Sequence, residues 1–288
     1  MTLRIVTDST CDLPAAMIDR YQITVIPLYI HIGNQSYRDQ IDITREQFYR
    51  QLPDYPTPPM TAVPAPELFE RTYRALIAEG ATEILSIHIS AGLSTIVDQA
   101  RAAARAIDEA PITVFDARQL TLGTGYSVLK AAELTASRTS IDQILSILKD
   151  QVLRTHVFAV ANTLEYLRRS GRVSSLVSGI GNLLQIKPLL KMYDGAAVSE
   201  KVRTQRKAFE RIVELIEGLG VLERLDMVHT NALDRANALY ERVKHLCPPG
   251  HSPLTVHVTS VIGAHVGPGT FGVACIQAPG IQAPHPRP

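Results

Sequence analysis

Buried β-branched runs alternate with amphipathic helical segments along most of this chain. In the N-terminal half, the run Leu3–Thr7 lacks the regular apolar and polar alternation of a strand with one wet face. Runs that are apolar on both faces are typical of parallel strands covered by helices. The pattern predicts an α/β fold whose N-terminal part is a mostly parallel, Rossmann-like sheet with helices.

The same periodicity predicts the individual elements. The predicted strands are Leu3–Thr7, Thr24–Ile32, Glu83–Ile89, Ile112–Phe115, His156–Val160, Arg224–His229, Leu254–Val261 and Thr270–Cys275. The predicted helices are Ala15–Tyr21, one that begins at Thr44, Glu67–Glu79, Ile96–Ala106, Thr121–Ala136, Ser140–Asp150, Thr163–Arg169, Thr204–Gly218 and Leu233–Lys244. Between them, the prolines of Pro53–Pro66 predict an ordered but irregular segment.

The second half differs from the first in its turn chemistry. Two apolar runs, Lys187–Tyr193 and Ala196–Val202, flank Asp194-Gly195, which predicts a β-hairpin and a mixed or antiparallel sheet. A chain of 288 residues exceeds the usual size of one domain. We therefore predict an N-terminal α/β domain at 1–155, a C-terminal α/β domain at 156–277, and a disordered proline-rich tail at 278–288.

Composition and charge exclude several classes of function. A net charge of +1, without a basic stripe, gives no footprint for nucleic acid. The three cysteines, Cys11, Cys247 and Cys275, lack CxxC spacing, which argues against a disulfide framework or a metal site. No apolar run reaches membrane-spanning length, so we expect a cytoplasmic protein whose contact with a membrane is at most peripheral. We expect neither a bound metal nor a cofactor.

Polar residues follow several predicted strands, where open α/β sheets place ligands. Asp8–Asp12 follows the first strand, and either caps the next helix or contacts a ligand. Ser90 and Ser94 precede the helix at Ile96, and their hydroxyls with the backbone amides predict an anion site. The carboxylates of Asp39 and Asp42 are interpreted as solvated loop groups.

One histidine, His265, lies between glycines in Gly263–Gly269, which we interpret as a rigid Gly-Pro loop after a β-branched run. Thr61, inside the proline-rich segment, either caps a helix or faces a ligand. The basic residues Arg168, Arg169 and Arg172 cluster, and Arg203 follows the hairpin. They either solvate helix and strand ends or contact a partner.

Seven segments together resemble the DegV family, in order from Ile5 to about Val273. They are Ile5–Thr10, Val25–Leu28, Thr61–Pro64, Ser90–Ser94, Leu167–Arg172, Ile186–Pro188 and Gly263–Gly269. The resemblance implies a bacterial two-domain α/β protein that holds one long-chain fatty acid between its domains. It also implies an acyl-carrying subunit that presents the carboxylate to a separate ATP-dependent fatty acid kinase, in phospholipid metabolism.

Carried over to this sequence, the resemblance puts Thr61, Ser94 or Ser90, and His265 at the fatty acid carboxylate. It associates Arg172 and Arg203 with kinase docking. The chain departs from the family pattern at two points, with Ala62-Val63 in place of Ser-Gln and Thr95-Ile96 in place of Gly-Thr. Both departures adjoin the predicted site.

Two other functions are compatible with parts of the sequence. A serine hydrolase would use Ser94 or Ser90 with His265 and an acid such as Asp8 or Asp116, but Gly92–Ile96 lacks the second glycine of a GxSxG elbow. A nucleotide-binding regulator would use the Asp8–Asp12 loop, but the chain has neither a glycine-rich phosphate fingerprint nor a Walker lysine.

Overall fold

Strands and helices alternate through the part of the chain that the computed structural model describes, residues 2–170 and 186–280. The strands are β1 (Leu3–Asp8), β2 (Thr24–Ile26), β3 (Tyr29–Ile32), β4 (Gln35–Arg38), β5 (Met60–Ala62), β6 (Glu83–His88), β7 (Ile112–Asp116), β8 (Thr155–Val160), β9 (Lys187–Tyr193), β10 (Ala196–Val202), β11 (Leu222–His229), β12 (Thr255–His257) and β13 (Phe271–Gln277). The helices are α1 (Ala15–Arg20), α2 (Arg45–Gln51), α3 (Pro66–Ala78), α4 (Ile96–Ala104), α5 (Leu122–Ala136), α6 (Ile141–Arg154), α7 (Glu165–Arg169), α8 (Gln205–Glu217), α9 (Leu233–Val243) and α10 (Ser260–Val266).

The N-terminal sheet is parallel, as its doubly apolar strands predict. Its order is β2-β1-β6-β7, and each neighbouring pair runs in the same direction. Helices α3 and α4 pack against each other, and α4 also contacts β6 and β7. Helix α5 covers β1 and β6, so the central strands are buried on both faces.

The second large sheet is mixed and follows the order β10-β9-β8-β13-β11-β12. Only the pair of β11 and β12 is parallel in this sheet of the described chain. Its β9–β10 hairpin turns at Asp194 (φ 45°) and Gly195 (φ 84°). A two-residue turn with positive φ at both positions matches the twist of the flanking strands, which confirms the predicted hairpin.

The predicted strand Thr24–Ile32 was wrong, because two strands of different sheets occupy this segment. Strand β2 ends at Ile26 and belongs to the parallel sheet, whereas β3 begins at Tyr29 in a small antiparallel sheet of order β4-β3-β5. Pro27 lies between them and has no N–H to donate to a strand ladder. The segment Pro53–Pro66, predicted as irregular, contributes β5 to this small sheet.

The predicted strand Leu254–Val261 was also wrong in its second half. Strand β12 ends at His257, and the chain then enters α10, which continues to Val266. Thr259 caps this helix, since its side chain accepts a hydrogen bond from the backbone N–H of Val261. His265 therefore lies in the last turn of a helix and not on a Gly-Pro loop.

The division at residues 155 and 156 stays a prediction. Every strand of the parallel sheet precedes β8, and every described strand of the mixed sheet follows α6. Helix α5 nevertheless contacts both sheets, and one hydrophobic cluster extends from Ile5 and Leu85 through Leu129 to Val157 and Ala274. Of the predicted tail, residues 281–288 lie outside the described part of the chain.

His156 on β8 gives the fold a testable dependence on pH. The imidazole is buried and stacks on Tyr193, and burial lowers its pKa to about 4. Because the unfolded chain binds the proton more tightly between pH 4 and 6.5, the free energy of unfolding falls as the pH falls through this range, by up to about 3 kcal/mol. We expect His156→Phe to reduce this slope in urea denaturation.

The matched control is His245→Phe, because the His245 side chain is more than half exposed. We expect this variant to keep the slope of the unmodified protein. An unchanged slope in His156→Phe would show that burial of His156 does not contribute to the pH dependence.

Candidate functional site

A cavity of about 780 Å³ lies between the carboxyl edge of the parallel sheet and one face of the mixed sheet. Residues after β1 and β6 contribute to the wall, including Ile89 and Leu93. In the mixed sheet, Ala159 pairs with Leu190 and Val157 pairs with Met192, so these four side chains share one face. The wall is mostly aliphatic, and its apolar members include Leu28, Val63, Ile89, Leu93, Leu120, Val157, Ala159, Leu190, Met192, Val228, Ile262 and Val266.

Thr61 and His265 meet at this cavity, although 204 residues separate them. Thr61 lies on β5, where it pairs with Ile30, and His265 lies on α10, which packs against β3 and β5. The distance between Thr61 Oγ1 and His265 Nε2 is 2.9 Å. With a proton on Nε2, the imidazole donates to the threonine oxygen and leaves the hydroxyl hydrogen to donate to a third group.

The two candidate serines have different surroundings. Ser94 lines the cavity just before α4, and its Oγ accepts a hydrogen bond from the Ile96 N–H at 3.3 Å. Ser90 is buried, and its hydroxyl donates to the carbonyl oxygen of Gly195 at 3.1 Å while accepting from the Gly92 N–H. The structure thus brings Ser94 to the cavity with Thr61 and His265, and directs the Ser90 hydroxyl toward the β9–β10 turn.

Two buried carboxylates hold the helix that carries His265. Asp12 Oδ1 accepts from the Thr259 N–H at 2.9 Å, and Asp39 Oδ2 accepts from the Thr259 hydroxyl at 2.5 Å. Each carboxylate residue is only 1% exposed, so the interpretation of Asp39 as a solvated loop group was wrong. The loop after β4 folds inward because Asp39 pairs with a donor on the C-terminal half of the chain.

Burial dominates the titration of these two carboxyl groups. It raises the pKa of Asp12 to about 6, although the Arg45 guanidinium and hydrogen bonds from Thr121 and Thr259 act in the opposite direction. It also raises the pKa of Asp39, against hydrogen bonds from Thr259 and Ser9. No local sequence pattern indicates this pairing, because Asp39 and Thr259 are 220 residues apart.

The two acids of the serine hydrolase hypothesis, Asp8 and Asp116, bind groups other than His265. Asp8 is buried and contacts His88 Nδ1 at 2.9 Å, and it accepts from Thr10. Asp116 accepts from the backbone N–H groups of Ala91 and Arg118. Both acids therefore organise the loops around the cavity. No group of three or more metal-ligating side chains occurs within residues 2–170 and 186–280.

The basic candidates fall in two regions. Arg203 is exposed and follows directly after β10. Arg168 and Arg169 end α7, where Arg169 forms an ion pair with Glu165. Arg172 lies outside the described residues.

The fold and the site define an α/β protein with a parallel and a mixed sheet, whose largely apolar cavity is lined in part by a threonine–histidine pair. A family model described as "Uncharacterised protein, DegV family" matches residues 2–278. The chain belongs to the DegV family. A DegV domain-containing protein of Streptomyces coelicolor is 36% identical to it over 273 residues, which cover 93% of this chain and 96% of that protein.

Solved structures of the family have the same fold. A DegV family protein from Thermus thermophilus, described by its fatty acid binding, has a TM-score of 0.88 at 32% identity and covers 96% of this chain and 100% of that chain. DegV from Bacillus subtilis, described as a fatty acid binding protein, has a TM-score of 0.87 at 31% identity and covers 96% of this chain and 99% of that chain.

None of the described helices is long and apolar enough to span a lipid bilayer.

Gly263 permits the packing of the His265 helix against α2. A Cβ atom built on Gly263 would lie 2.0 Å from the Tyr49 hydroxyl oxygen, and Tyr49 is buried. We expect Gly263→Ala to lower the free energy of unfolding by about 1–3 kcal/mol, because the extra methyl group forces the ring or the helix to move. Urea denaturation measures this loss.

Gly218→Ala is the matched control, since Gly218 caps the C-terminus of α8 with φ −65° and a Cβ there would approach only the helix's own carbonyl groups. It should leave stability nearly unchanged. Equal stability of the two alanine variants would contradict the close packing of Tyr49 on α10.

Proposed function

We propose that this protein binds one long-chain fatty acid in the cavity, with its carboxylate at Thr61, Ser94 and His265. The observation that carries the proposal is the 2.9 Å contact between Thr61 and His265 at an aliphatic cavity of about 780 Å³. Ligand pockets typically measure about 300–1,000 Å³. The fatty acid binding described for the relatives from T. thermophilus and B. subtilis supports the same ligand class.

The polar end of the cavity suits a carboxylate. A buried anion needs several donors, because charge-assisted hydrogen bonds must offset the loss of its hydration. Ser94 Oγ accepts from a backbone amide and retains its hydrogen for the ligand. The Ser90 hydroxyl, which donates to Gly195, instead fixes the loop that carries Ser94.

The aliphatic wall suits the acyl chain. Each methylene that leaves water contributes about 0.8 kcal/mol, so a long chain binds tightly without polar contacts along its length. Ala62, Val63 and Thr95 line the cavity at positions where the family usually has Ser, Gln and Gly. We propose that these replacements change the shape of the carboxylate end and hence the preference among fatty acids.

We further propose that the protein is a non-catalytic, cytoplasmic subunit that presents the carboxylate to a separate ATP-dependent fatty acid kinase. The sequence lacks a phosphate-binding glycine fingerprint and a Walker lysine, so ATP binding is assigned to the partner. Arg203, exposed after β10, and Arg172 are the proposed docking residues, because guanidinium groups recognise carboxylate and phosphate at interfaces. The ligand itself is the only small molecule that this role requires.

The carboxylate site predicts a separation between binding and stability. We expect His265→Ala and Thr61→Val to reduce the fatty acid retained by the purified protein, measured by native mass spectrometry, while the melting temperature of the ligand-free form changes little. A ligand-anchoring group contributes chiefly through the bound state. His31→Ala, in the same small sheet, serves as the control that should retain the ligand.

A sharp loss of melting temperature with unchanged ligand content would contradict the anchoring role of His265. Stoichiometric labelling of Ser94 or Ser90 by a fluorophosphonate probe would contradict the binding proposal and support the serine hydrolase alternative.

The kinase proposal predicts a different separation. In a reconstituted reaction with a fatty acid kinase, the Arg172→Glu, Arg203→Glu double variant should form little acyl phosphate and still hold its fatty acid. Charge reversal replaces attraction by repulsion at the interface but leaves the cavity intact. Arg71→Glu, on the exposed face of α3, is the control. Unchanged kinase turnover would show that both arginines only solvate the ends of helices or strands. Loss of the bound fatty acid would show that they belong to the ligand pocket.

A further inference from the structure

The helix that carries His265 is attached to the N-terminal half of the chain through its capping residue. Thr259 has two donors, the backbone N–H and the hydroxyl, and both bind carboxylates from the N-terminal half, Asp12 and Asp39. The hydroxyl oxygen accepts from Val261 in the first turn of α10. One residue thus connects the start of the helix to two buried acids.

The residues on either side of Thr259 are held from the same half. Arg45 forms an ion pair with Asp12 at 3.0 Å and donates to the carbonyl oxygen of His257. The Tyr49 hydroxyl lies 3.2 Å from the carbonyl oxygen of Val258 and 3.3 Å from that of Thr259. The His257 ring also lies 3.5 Å from the Glu46 carboxylate, so the segment His257–Thr259 contacts five polar side chains of the N-terminal half, Asp12, Asp39, Arg45, Glu46 and Tyr49.

The geometry of α10 transmits this attachment to His265. The helix has seven residues, so His265 lies about 9 Å along its axis from Thr259. A helix of this length has little stability of its own, and its orientation depends on what it packs against. Thr61, the partner of His265, belongs to the small sheet of the N-terminal half.

We propose that Asp12 and Asp39 are positioning residues, which seat the capping residue of α10 and thereby hold the His265 imidazole against Thr61. Burying Asp12, Asp39 and the Arg45 guanidinium together contributes little to the free energy of unfolding, because the desolvation of each charge opposes the attraction between them. Their directional hydrogen bonds, however, fix where the helix begins. The consequence for fatty acid affinity rests on the proposed function.

The test compares two substitutions of Thr259. Thr259→Val keeps the shape of the side chain but removes the hydroxyl that binds Asp39 and caps α10, whereas Thr259→Ser keeps the hydroxyl. The His265 imidazole signals in ¹H–¹⁵N spectra of the ligand-free protein are assigned by their loss in His265→Gln. We expect Thr259→Val to shift these signals from their positions in the unmodified protein, and Thr259→Ser to leave them in place. By calorimetry with palmitic acid, the affinity should fall about tenfold or more in Thr259→Val.

Asp39→Ala tests the other partner of the same hydrogen bond, and Asp42→Ala is its matched control. Asp42 lies three residues away on the same loop, but its carboxylate is bound by Arg38 at the surface. Asp39→Ala should reproduce the shifted His265 signals and the weaker binding, and Asp42→Ala should not. If Thr259→Val does not fold, Asp39→Ala decides the question by the same two measurements.

Unchanged His265 signals in folded Thr259→Val or Asp39→Ala would overturn the positioning role, whatever the affinity for palmitic acid. Shifted signals in both variants, in a protein that takes up no fatty acid even when unmodified, would support the positioning role and contradict the proposed function. A parallel loss of melting temperature and affinity without any shift of the His265 signals would assign the two acids to stability alone.

Discussion

The hydrogen bond between the Thr259 hydroxyl and the Asp39 carboxylate is the contact on which the candidate site depends. The two partners belong to different halves of the chain. Thr259 begins the helix that carries His265, and Asp39 follows β4 in the small sheet that contains Thr61. Neither half alone contains both members of the threonine–histidine pair.

A second set of hydrogen bonds between the two halves of the chain holds the β9–β10 hairpin, which forms another part of the cavity wall. The turn at Asp194 and Gly195 reaches the loops that follow β6 and β7, where Gly195 accepts from Ser90 and donates to the Arg118 carbonyl. The Arg118 guanidinium binds the carbonyl and carboxylate oxygens of Asp194. The β9–β10 hairpin, whose Leu190 and Met192 line the cavity, is thus fixed to the N-terminal half at its tip.

Features that depend on local chemistry could be predicted from the sequence, and the structure agrees with those predictions. Asp194-Gly195 requires positive φ at two successive positions, and the turn has it. Strands that are buried on both faces form the parallel sheet. The features that depend on long-range contacts were missed. The β-branched run Leu254–Val261 predicts a strand, but Thr259 caps a helix there. Asp12 and Asp39, far away in sequence, accept hydrogen bonds from the Thr259 backbone N–H and hydroxyl. Local propensity cannot reveal such partners.

For Thr61, Ser94 and His265, the prediction of a carboxylate site comes from the resemblance to a family and not from the local sequence pattern. A threonine among prolines, a serine before a helix and a histidine among glycines are each ordinary, and their convergence depends on how α10 packs on the small sheet. The position of α10 also requires Gly263 to admit Tyr49 of α2, and Gly267, with φ 72°, to admit Tyr166 of α7. The glycines that were interpreted as part of a rigid Gly-Pro loop thus allow close contacts on both sides of a helix. That helix is held by the two aromatic rings and by the buried acids that bind Thr259.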